Sequence, residues 1–203
     1  MLKVALLPMA MEADLAKSKP ATAHFVGLLR GINVGGNKAV SMAALRELME
    51  GMGFCDVKTL LQSGNVVFSD ATQAAEKLER QVETALTKKL AVEADVLIRT
   101  ADDWSKLIDA NPFQAMAESD PSHLVLVCLK SSPTSDAVQA LRAAIKGREE
   151  IQVIGRELYV TYVEGIGTSK LTNTVIEKHL RIRGTGRNWN TVLKIQDVLS
   201  QRS

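Results

Sequence analysis

The sequence predicts an α+β fold in which a split βαββαβ unit is followed by a second α/β subdomain of related order, closely packed against the first. Short apolar runs bounded by glycine are typical of buried strands, and they alternate with stretches whose apolar residues recur at helical spacing. The first half reads strand, helix, strand, strand, helix, strand, which is the ferredoxin-like order. The second half loosely echoes this order, and no Pro/Ser-rich linker separates the two.

The strands of the first half are predicted from four short runs, at residues 24–30, 56–62, 65–69 and 95–100. Ser41 is placed to cap the first helix, because its hydroxyl can accept a hydrogen bond from a free backbone N–H of the first turn. Asp70 with Gln73 resembles a capping box and predicts the start of the second helix. Gly64 separates the two middle strands, and its freedom to adopt positive φ predicts a tight hairpin.

The second half is predicted to contain three strands and four helices in the order αβαββαα. Its strands and its last two helices are predicted at 123–129, 149–155, 157–163, about 171–180 and about 188–199. Thr100 can cap the helix that precedes these strands. Pro133 suits the first position of the next helix, where its missing N–H has no intrahelical partner to lose. Trp189 is expected on the buried face of the last helix.

The predicted divisions of the chain are a loose N-terminal extension over 1–22, a ferredoxin-like subdomain over 23–100 and a second α+β subdomain with basic C-terminal helices over 101–203. The first residues faintly resemble a signal peptide, but Pro8 interrupts the apolar run and Glu12 follows it. We therefore interpret this segment as an extension, with Met1 and Met11 as alternative starts.

Charge is distributed unevenly along the chain, although the net charge is only +2. Between Gly165 and Ser203, seven basic and two acidic residues give a local charge of +5, so the rest of the chain carries −3. A basic segment on a near-neutral protein favours a local anion site over a general polycation. Cys55 and Cys128 have apolar neighbours and are expected to be buried thiols, which suits a cytoplasmic location. No run of about 18 apolar residues is present, so no membrane partner is predicted.

The stretch LLRGINVGGNKAVS, residues 28–41, resembles a phosphate-binding P-loop but departs from its pattern. Gly31 and Gly36 have the required separation, whereas the lysine comes one residue late and Ala39 stands where a magnesium-binding hydroxyl is needed. Two interpretations stay open. The segment can form an anion-binding nest of successive N–H groups, or it can be a turn in which glycine and asparagine allow positive φ.

Four stretches of the chain carry a family resemblance: LLRGINVGGNK, LRELMEGMGFCDVKTLLQSGNVVF, NPF and GIGTSKLTNTVIEKHL…GTGRNWNTVLKI. They resemble the bacterial domain-of-unknown-function 1697 family, from about Phe25 to Leu199. The resemblance implies an α+β fold of ferredoxin-like character and no established reaction, substrate or cofactor. The family more usually has Tyr-Ile before the Gln-Ser-Gly-Asn turn, where this chain has Leu60-Leu61. Any role of that tyrosine is therefore missing here.

Two later loops combine groups that suit an anion. GIGTSK, residues 165–170, has two glycines, two hydroxyls and a lysine between a predicted strand and a predicted helix, where N–H groups and the helix dipole attract phosphate or carboxylate. The alternative is a plain Thr/Ser helix cap. Arg187 and Asn188 offer directional donors at the start of the last helix, and the planar guanidinium suits phosphate. Their alternative role is again structural.

The candidate ligand-binding residues are Arg30, Asn33, Gly35, Gly36, Lys38, Gln62, Ser63, Asn65, Thr168, Ser169, Lys170, Arg187 and Asn188. They form one site only if their loops converge. In a split βαββαβ unit, the connection after the first strand and the hairpin between the middle strands are expected to leave opposite ends of the sheet. Convergence therefore needs the sheet twist or an interface to reunite them.

The predicted function is binding of a small anionic ligand, phosphorylated or carboxylated, by glycine-rich loops and Arg/Lys side chains. Two alternatives stay open: nucleic-acid backbone binding through the basic C-terminal segment, and an enzyme acting on an anionic metabolite. Aromatic residues make up only 4% of the chain, which disfavours RNA recognition by stacking on an exposed sheet. His24, His123 and His179 lack the spacing of zinc ligands, so neither a metal nor a cofactor is predicted.

Overall fold

The computed structural model describes residues 22–33, 39–71 and 74–202. Within these ranges, eight strands form two four-stranded antiparallel sheets, and seven helices connect and cover them. The predicted α+β fold is confirmed. Residues 1–21 of the predicted extension, Gly35, Gly36, Lys38 and Gln73 lie outside the described residues. No helix in the described ranges is both long enough and apolar enough to cross a bilayer.

The first half has the predicted βαββαβ order. Its elements are β1 (Thr22–Leu29), α1 (Met42–Glu50), β2 (Cys55–Leu60), β3 (Asn65–Ala71), α2 (Ala75–Leu90) and β4 (Val96–Thr100). The sheet order is β2-β3-β1-β4, and every neighbouring pair is antiparallel. The apolar stripe of α1 places Leu45, Leu48 and Met49 in the core.

The second half repeats this order completely. Its elements are α3 (Ala101–Asp109), α4 (Gln114–Ser119), β5 (Leu124–Leu129), α5 (Ser135–Ala144), β6 (Ile151–Ile154), β7 (Glu157–Thr161), α6 (Asn173–Leu180), β8 (Gly184–Asn188) and α7 (Trp189–Ser200). The sheet order β6-β7-β5-β8 corresponds to the first sheet strand for strand. The predicted order αβαββαα was wrong because it lacked α4 and β8.

The strand β8 has the sequence GTGRN, which carries no apolar side chain and gives no strand signal of its own. Pairing with β5 forms it instead, with Gly184 opposite Leu129 and Gly186 opposite Val127. A Cβ on Gly184 would lie 2.8 Å from Leu129 Cδ2, so the close approach of the β5 side chains requires glycine at this position.

Two predicted helix caps are confirmed, at Ser41 and Thr100. Of the two residues that could cap the last helix, Thr185 and Asn188, the structure has Asn188 at the cap. Two other predicted helix starts were wrong. The helix α2 begins at Ala75 without a side-chain cap, and Asp70 lies in β3 instead of opening the helix. The helix α5 is capped by the Thr134 hydroxyl, so Pro133 lies before the cap rather than at the first helical position.

Both faces of each sheet are covered. Alternation along β1 turns Phe25 and Leu29 toward α1 and α2, whereas Val26 and Leu28 face the second sheet. The second sheet is covered on its outer face by α5 and α6. A central core therefore lies between the two sheets and is completed by α3 and α7, with Trp189 buried in it as expected.

The two cysteines differ in exposure. Cys128 is buried in the central core, and burial raises the pKa of its thiol well above the ordinary value. Cys55 was expected to be buried but is exposed, because it begins β2, which lies at an edge of the first sheet.

Candidate functional site

The β1–α1 loop and the β2–β3 hairpin meet at one end of the first sheet. Both β1 and β2 run antiparallel to β3, so they are parallel to each other and end on the same side. Leu29 N donates to Gly64 O at 2.8 Å, and Asn33 Nδ2 donates to Gln62 O at 2.8 Å. The prediction that these connections leave opposite ends was wrong. Asn33 also bonds both backbone groups of Val40, which ties the two sides of its loop together.

Arg187 joins these loops to the second sheet from β8. Its Nε donates to Asn65 Oδ1 at 2.5 Å, Nη1 donates to Thr185 Oγ1 and Gly186 O, and Nη2 donates to Leu29 O and Ser63 O. These five bonds use all five guanidinium N–H groups. None of the acceptors is a carboxylate, and burial lowers the pKa of Arg187 to about 10. The side chain therefore has no donor left for a ligand.

A second arginine occupies the matching position of the first sheet. In the first sheet, Val26 and Leu28 of β1 lie two residues apart. Val26 pairs with Arg99 on β4, and Leu28 pairs with Asn65 on β3. In the second sheet, Leu126 and Cys128 of β5 also lie two residues apart. Leu126 pairs with Arg187 on β8, and Cys128 pairs with Glu157 on β7. Arg99 is therefore equivalent to Arg187, and Asn65 to Glu157.

The two arginines make reciprocal contacts across the central core. Arg99 Nε donates to Glu157 Oε1 at 2.6 Å, and its Nη2 donates to Leu129 O at 2.9 Å. Arg187 Nη2 makes the corresponding bond to Leu29 O, at the end of β1. Each arginine thus contacts the equivalent residues of the other sheet, as is expected when two sheets are related by an approximate two-fold axis. Arg187 thus serves to join the two sheets.

Arg30, just after β1, also joins the two halves. Its Nε and Nη2 donate to the two carboxylate oxygens of Glu177 on α6, at 2.7 and 2.6 Å. Burial acts to raise the pKa of Glu177, but the hydrogen bond from Arg30 and its other partners hold that pKa below its usual range. Lys130, just after β5, makes the equivalent contact with Glu83 on α2 at 2.7 Å. Arg30 is therefore engaged within the protein.

The structure brings six predicted site residues into one region, here termed the central polar cluster: Arg30, Asn33, Gln62, Ser63, Asn65 and Arg187. Its hydrogen bonds connect loops and sheets to each other. Asn188 is at its edge and caps α7 by accepting from Thr191 N at 3.0 Å. We interpret the cluster as the junction of the two halves.

The remaining predicted residues, Thr168, Ser169 and Lys170, line a separate cavity, here termed the Lys170 pocket. It is bounded by residues 146–149, 162–165 and 168–170 and has a volume of about 180 Å³. Three exposed cations, from Lys146, Arg148 and Lys170, surround it, and within the described part of the chain none of them forms an ion pair. Their carboxylate neighbours in the wall are Glu149 and Glu164.

The hydroxyls of this loop bond to the protein. Thr168 Oγ1 donates to Glu164 O at 2.7 Å, and Ser169 Oγ donates to Glu149 Oε1 while accepting from Leu171 N. The helix α6 begins only at Asn173 and is capped by Thr172. GIGTSK thus lies between a strand and a helix, as predicted, but it ends two residues before the cap of α6. We therefore attribute the electrostatics of the pocket mainly to its charged side chains rather than to the helix dipole.

Tyr162 forms a neutral part of the pocket wall. Its hydroxyl donates to Leu171 O at 2.9 Å. Burial and the charge of Glu149 raise the pKa of Tyr162 to about 12, so the phenol keeps its proton at neutral pH. The pocket therefore joins a neutral wall to a cationic rim.

A histidine–aspartate pair next to the pocket was missed in the sequence. His123 Nδ1 is hydrogen-bonded to Asp120 Oδ2, and Ser122 Oγ donates to Asp120 Oδ1 at 2.7 Å. These bonds from Ser122 and His123 lower the pKa of Asp120. His123 Nε2 lies 3.6 Å from the position of a Cβ on Gly165, which lines the pocket. The signal was an aspartate three residues before a histidine, in a Pro-Ser turn that leads into a strand.

Comparisons with known proteins agree with this fold. The family model described as "Protein of unknown function (DUF1697)" matches residues 22–159. Among solved structures, the conserved bacterial protein SP0830 from Streptococcus pneumoniae is similar, with 22% sequence identity and a TM-score of 0.70. The match covers 88% of this chain and 99% of that chain. At this identity the likeness concerns the fold alone. No curated protein matches the chain.

Proposed function

The chain belongs to the DUF1697 family of proteins of unknown function, and we propose that it binds a small anionic ligand, phosphorylated or carboxylated, in the Lys170 pocket. One observation carries the proposal. Three cations without ion-pair partners in the described residues surround one cavity, whereas the arginines of the central polar cluster are already engaged. Cations that converge on a concave surface attract an anion, and hydrogen bonds to charged groups are the stronger kind.

The size of the cavity supports a small ligand. Pockets that hold drug-sized molecules have volumes of roughly 300–1,000 Å³. The Lys170 pocket, at about 180 Å³, is smaller than this range. It suits a phosphate or carboxylate on a short carbon chain better than a nucleotide.

An enzyme acting on the same anion is a second candidate, and the His123–Asp120 pair favours it. Histidine whose Nδ1 is held by a carboxylate is a recurring acid–base element, because the carboxylate fixes the tautomer and the ring orientation. Here the free nitrogen faces Gly165 at the pocket wall. The binding proposal does not depend on this second role.

Lys170→Ala tests the binding proposal. With the parent protein, millimolar glycerol 3-phosphate or glycolate is expected to raise the melting temperature, since a ligand at 100 times its dissociation constant stabilises a fold by about 2.7 kcal/mol. Lys170→Ala is expected to reduce this shift. Lys194→Ala is the matched control, because Lys194 is an exposed lysine of the basic segment that does not line the pocket.

Two results would contradict the proposal. One is the absence of any thermal shift in the parent with both anions up to tens of millimolar. The other is an equal loss of shift in Lys170→Ala and Lys194→Ala. If a short oligonucleotide binds instead, with an affinity that falls steeply with salt and is weakened by Lys194→Ala, nucleic-acid backbone binding is favoured.

A further inference from the structure

Building on the proposed function, we infer that the ligand of the Lys170 pocket is a small phosphate ester with a free hydroxyl group, and that His123 Nε2 accepts the hydrogen of that hydroxyl. The inference adds a specificity-determining residue to a pocket whose cations alone would bind any anion. It also selects one ligand class among the anions that the pocket can hold.

The tautomer of His123 is set by its neighbours. An ionised carboxylate only accepts hydrogen bonds, so the contact with Asp120 Oδ2 places the imidazole hydrogen on Nδ1. Asp120 is itself held, since its other oxygen accepts from Ser122 Oγ and its backbone oxygen accepts from His123 N at 3.1 Å. In this tautomer Nε2 presents a lone pair, and within the described residues it has no hydrogen-bond partner.

The ring is placed against the wall of the pocket. His123 O accepts from Tyr162 N at 2.8 Å, which fixes the start of β5 to a residue of the pocket. On the other side Nε2 lies 3.6 Å from the position of a Cβ on Gly165, so glycine leaves free the space in which a side chain at this position would contact the imidazole. The His123 side chain is 35% exposed, so a ligand can reach it from solvent.

The cations around the pocket and His123 Nε2 suit two different parts of a ligand, an anionic group and a hydroxyl group. A phosphate ester has three terminal oxygens and can accept a charge-assisted hydrogen bond from each of the three cations, whereas a carboxylate has only two oxygens. An uncharged hydroxyl can donate to Nε2 without adding a positive charge beside those cations. An anion without a hydroxyl offers Nε2 only acceptors, so this group of the protein gains no hydrogen bond from it.

The test compares two phosphate esters that differ only in their hydroxyl groups. Isothermal titration calorimetry on the full chain uses glycerol 3-phosphate and propyl phosphate. The parent is expected to bind glycerol 3-phosphate about tenfold more tightly, the size of one net hydrogen bond. His123→Leu is expected to abolish this preference and leave propyl phosphate affinity unchanged, whereas Lys170→Ala should weaken binding of both. His179→Leu is the matched control, because His179 lies on α6 and neither lines the pocket nor lies beside Gly165.

The outcomes separate the two proposals. If neither ester binds the parent, the proposed function and this inference both fail. If both bind equally, the proposed function stands and the role of His123 is overturned. An equal loss of affinity for both esters in His123→Leu also overturns it. Should His123→Leu fold poorly, the ¹⁵N shift of His123 Nε2 in the parent decides: it must move with glycerol 3-phosphate and stay unchanged with propyl phosphate.

Discussion

Replacing Arg187 by leucine tests whether the central polar cluster is a structural junction. Leucine keeps an apolar stem but removes all five hydrogen bonds of the guanidinium. Two of the lost acceptors belong to fully buried residues, Asn65 and Leu29, at 0% and 1% exposure. Each buried acceptor left without a partner costs about 1–3 kcal/mol, so the expected loss is roughly 4 kcal/mol.

Urea denaturation measures this loss as a change in the free energy of unfolding. For a chain of this length, each kcal/mol lowers the melting temperature by about 2–4 °C, so the expected decrease is roughly 8–16 °C. The slope of the unfolding free energy with urea should stay the same, because the fold is unchanged. Lys194→Ala is the control for general effects of charge, and its effect should stay within about 0.5 kcal/mol.

A double-mutant cycle with Asn65→Ala localises the effect. If the bond from Arg187 Nε to Asn65 Oδ1 contributes, the two changes should couple by about 0.5–3 kcal/mol. The reasoning is refuted if Arg187→Leu unfolds within about 1 kcal/mol of the parent. In that case the cost of burying an unpaired cation would equal the gain from its hydrogen bonds.

Two further predictions concern ionisable groups. The folded-state pKa of Glu177 is lowered, so its stabilising contribution is present above the ordinary value of about 4.3 and is lost as pH falls through the lower folded pKa. Glu177→Gln should therefore melt below the parent at pH 7, and the gap should close in acid; a gap that is constant with pH would contradict the assignment. Cys55 should react with a thiol reagent in the native protein and Cys128 only after unfolding, as mass spectrometry can establish. Native labelling of Cys128 at the rate of Cys55 would show that the central core opens.

The helices and strands could be predicted from the sequence wherever buried apolar side chains recur at the spacing of a helix or a strand. The run over β5 and the stripe of α1 are such cases, because burial of one face dictates their spacing. The strand β8 could not be found this way, since its glycines are selected by the side chains of β5 rather than by a core. The start of α2 was misplaced because Asp70 continues the ladder of β3 opposite β1, and a local capping pattern carries no information on that pairing.

The candidate site was harder to predict for a physical reason. Gly-, Asn- and Arg-rich loops look alike whether their N–H groups bind a ligand or another part of the chain. Only the tertiary arrangement decides, and it directs Arg187 to Leu29, which is 158 residues away along the chain. The Asp120–His123 pair was local enough to be seen, but its relation to Gly165 depends on the pairing of β5 with β7.

The same arrangement changes what the basic C-terminal segment can do. Of its cations, Arg187 is buried between the sheets, and Arg183 forms an ion pair with Asp95. Lys170 lies in the wall of the pocket, away from the central polar cluster. A surface that binds the nucleic-acid backbone needs several free cations along one face, because each phosphate contact contributes separately to affinity. Arg183 and Arg187 are thus held between the two halves and Lys170 lies at the pocket, which leaves Lys178, Arg181 and Lys194 as exposed cations of this segment without an ion pair among the described residues. A polyanion would have to use these three, so Lys194→Ala separates binding of a polyanion from binding of a small anion in the pocket.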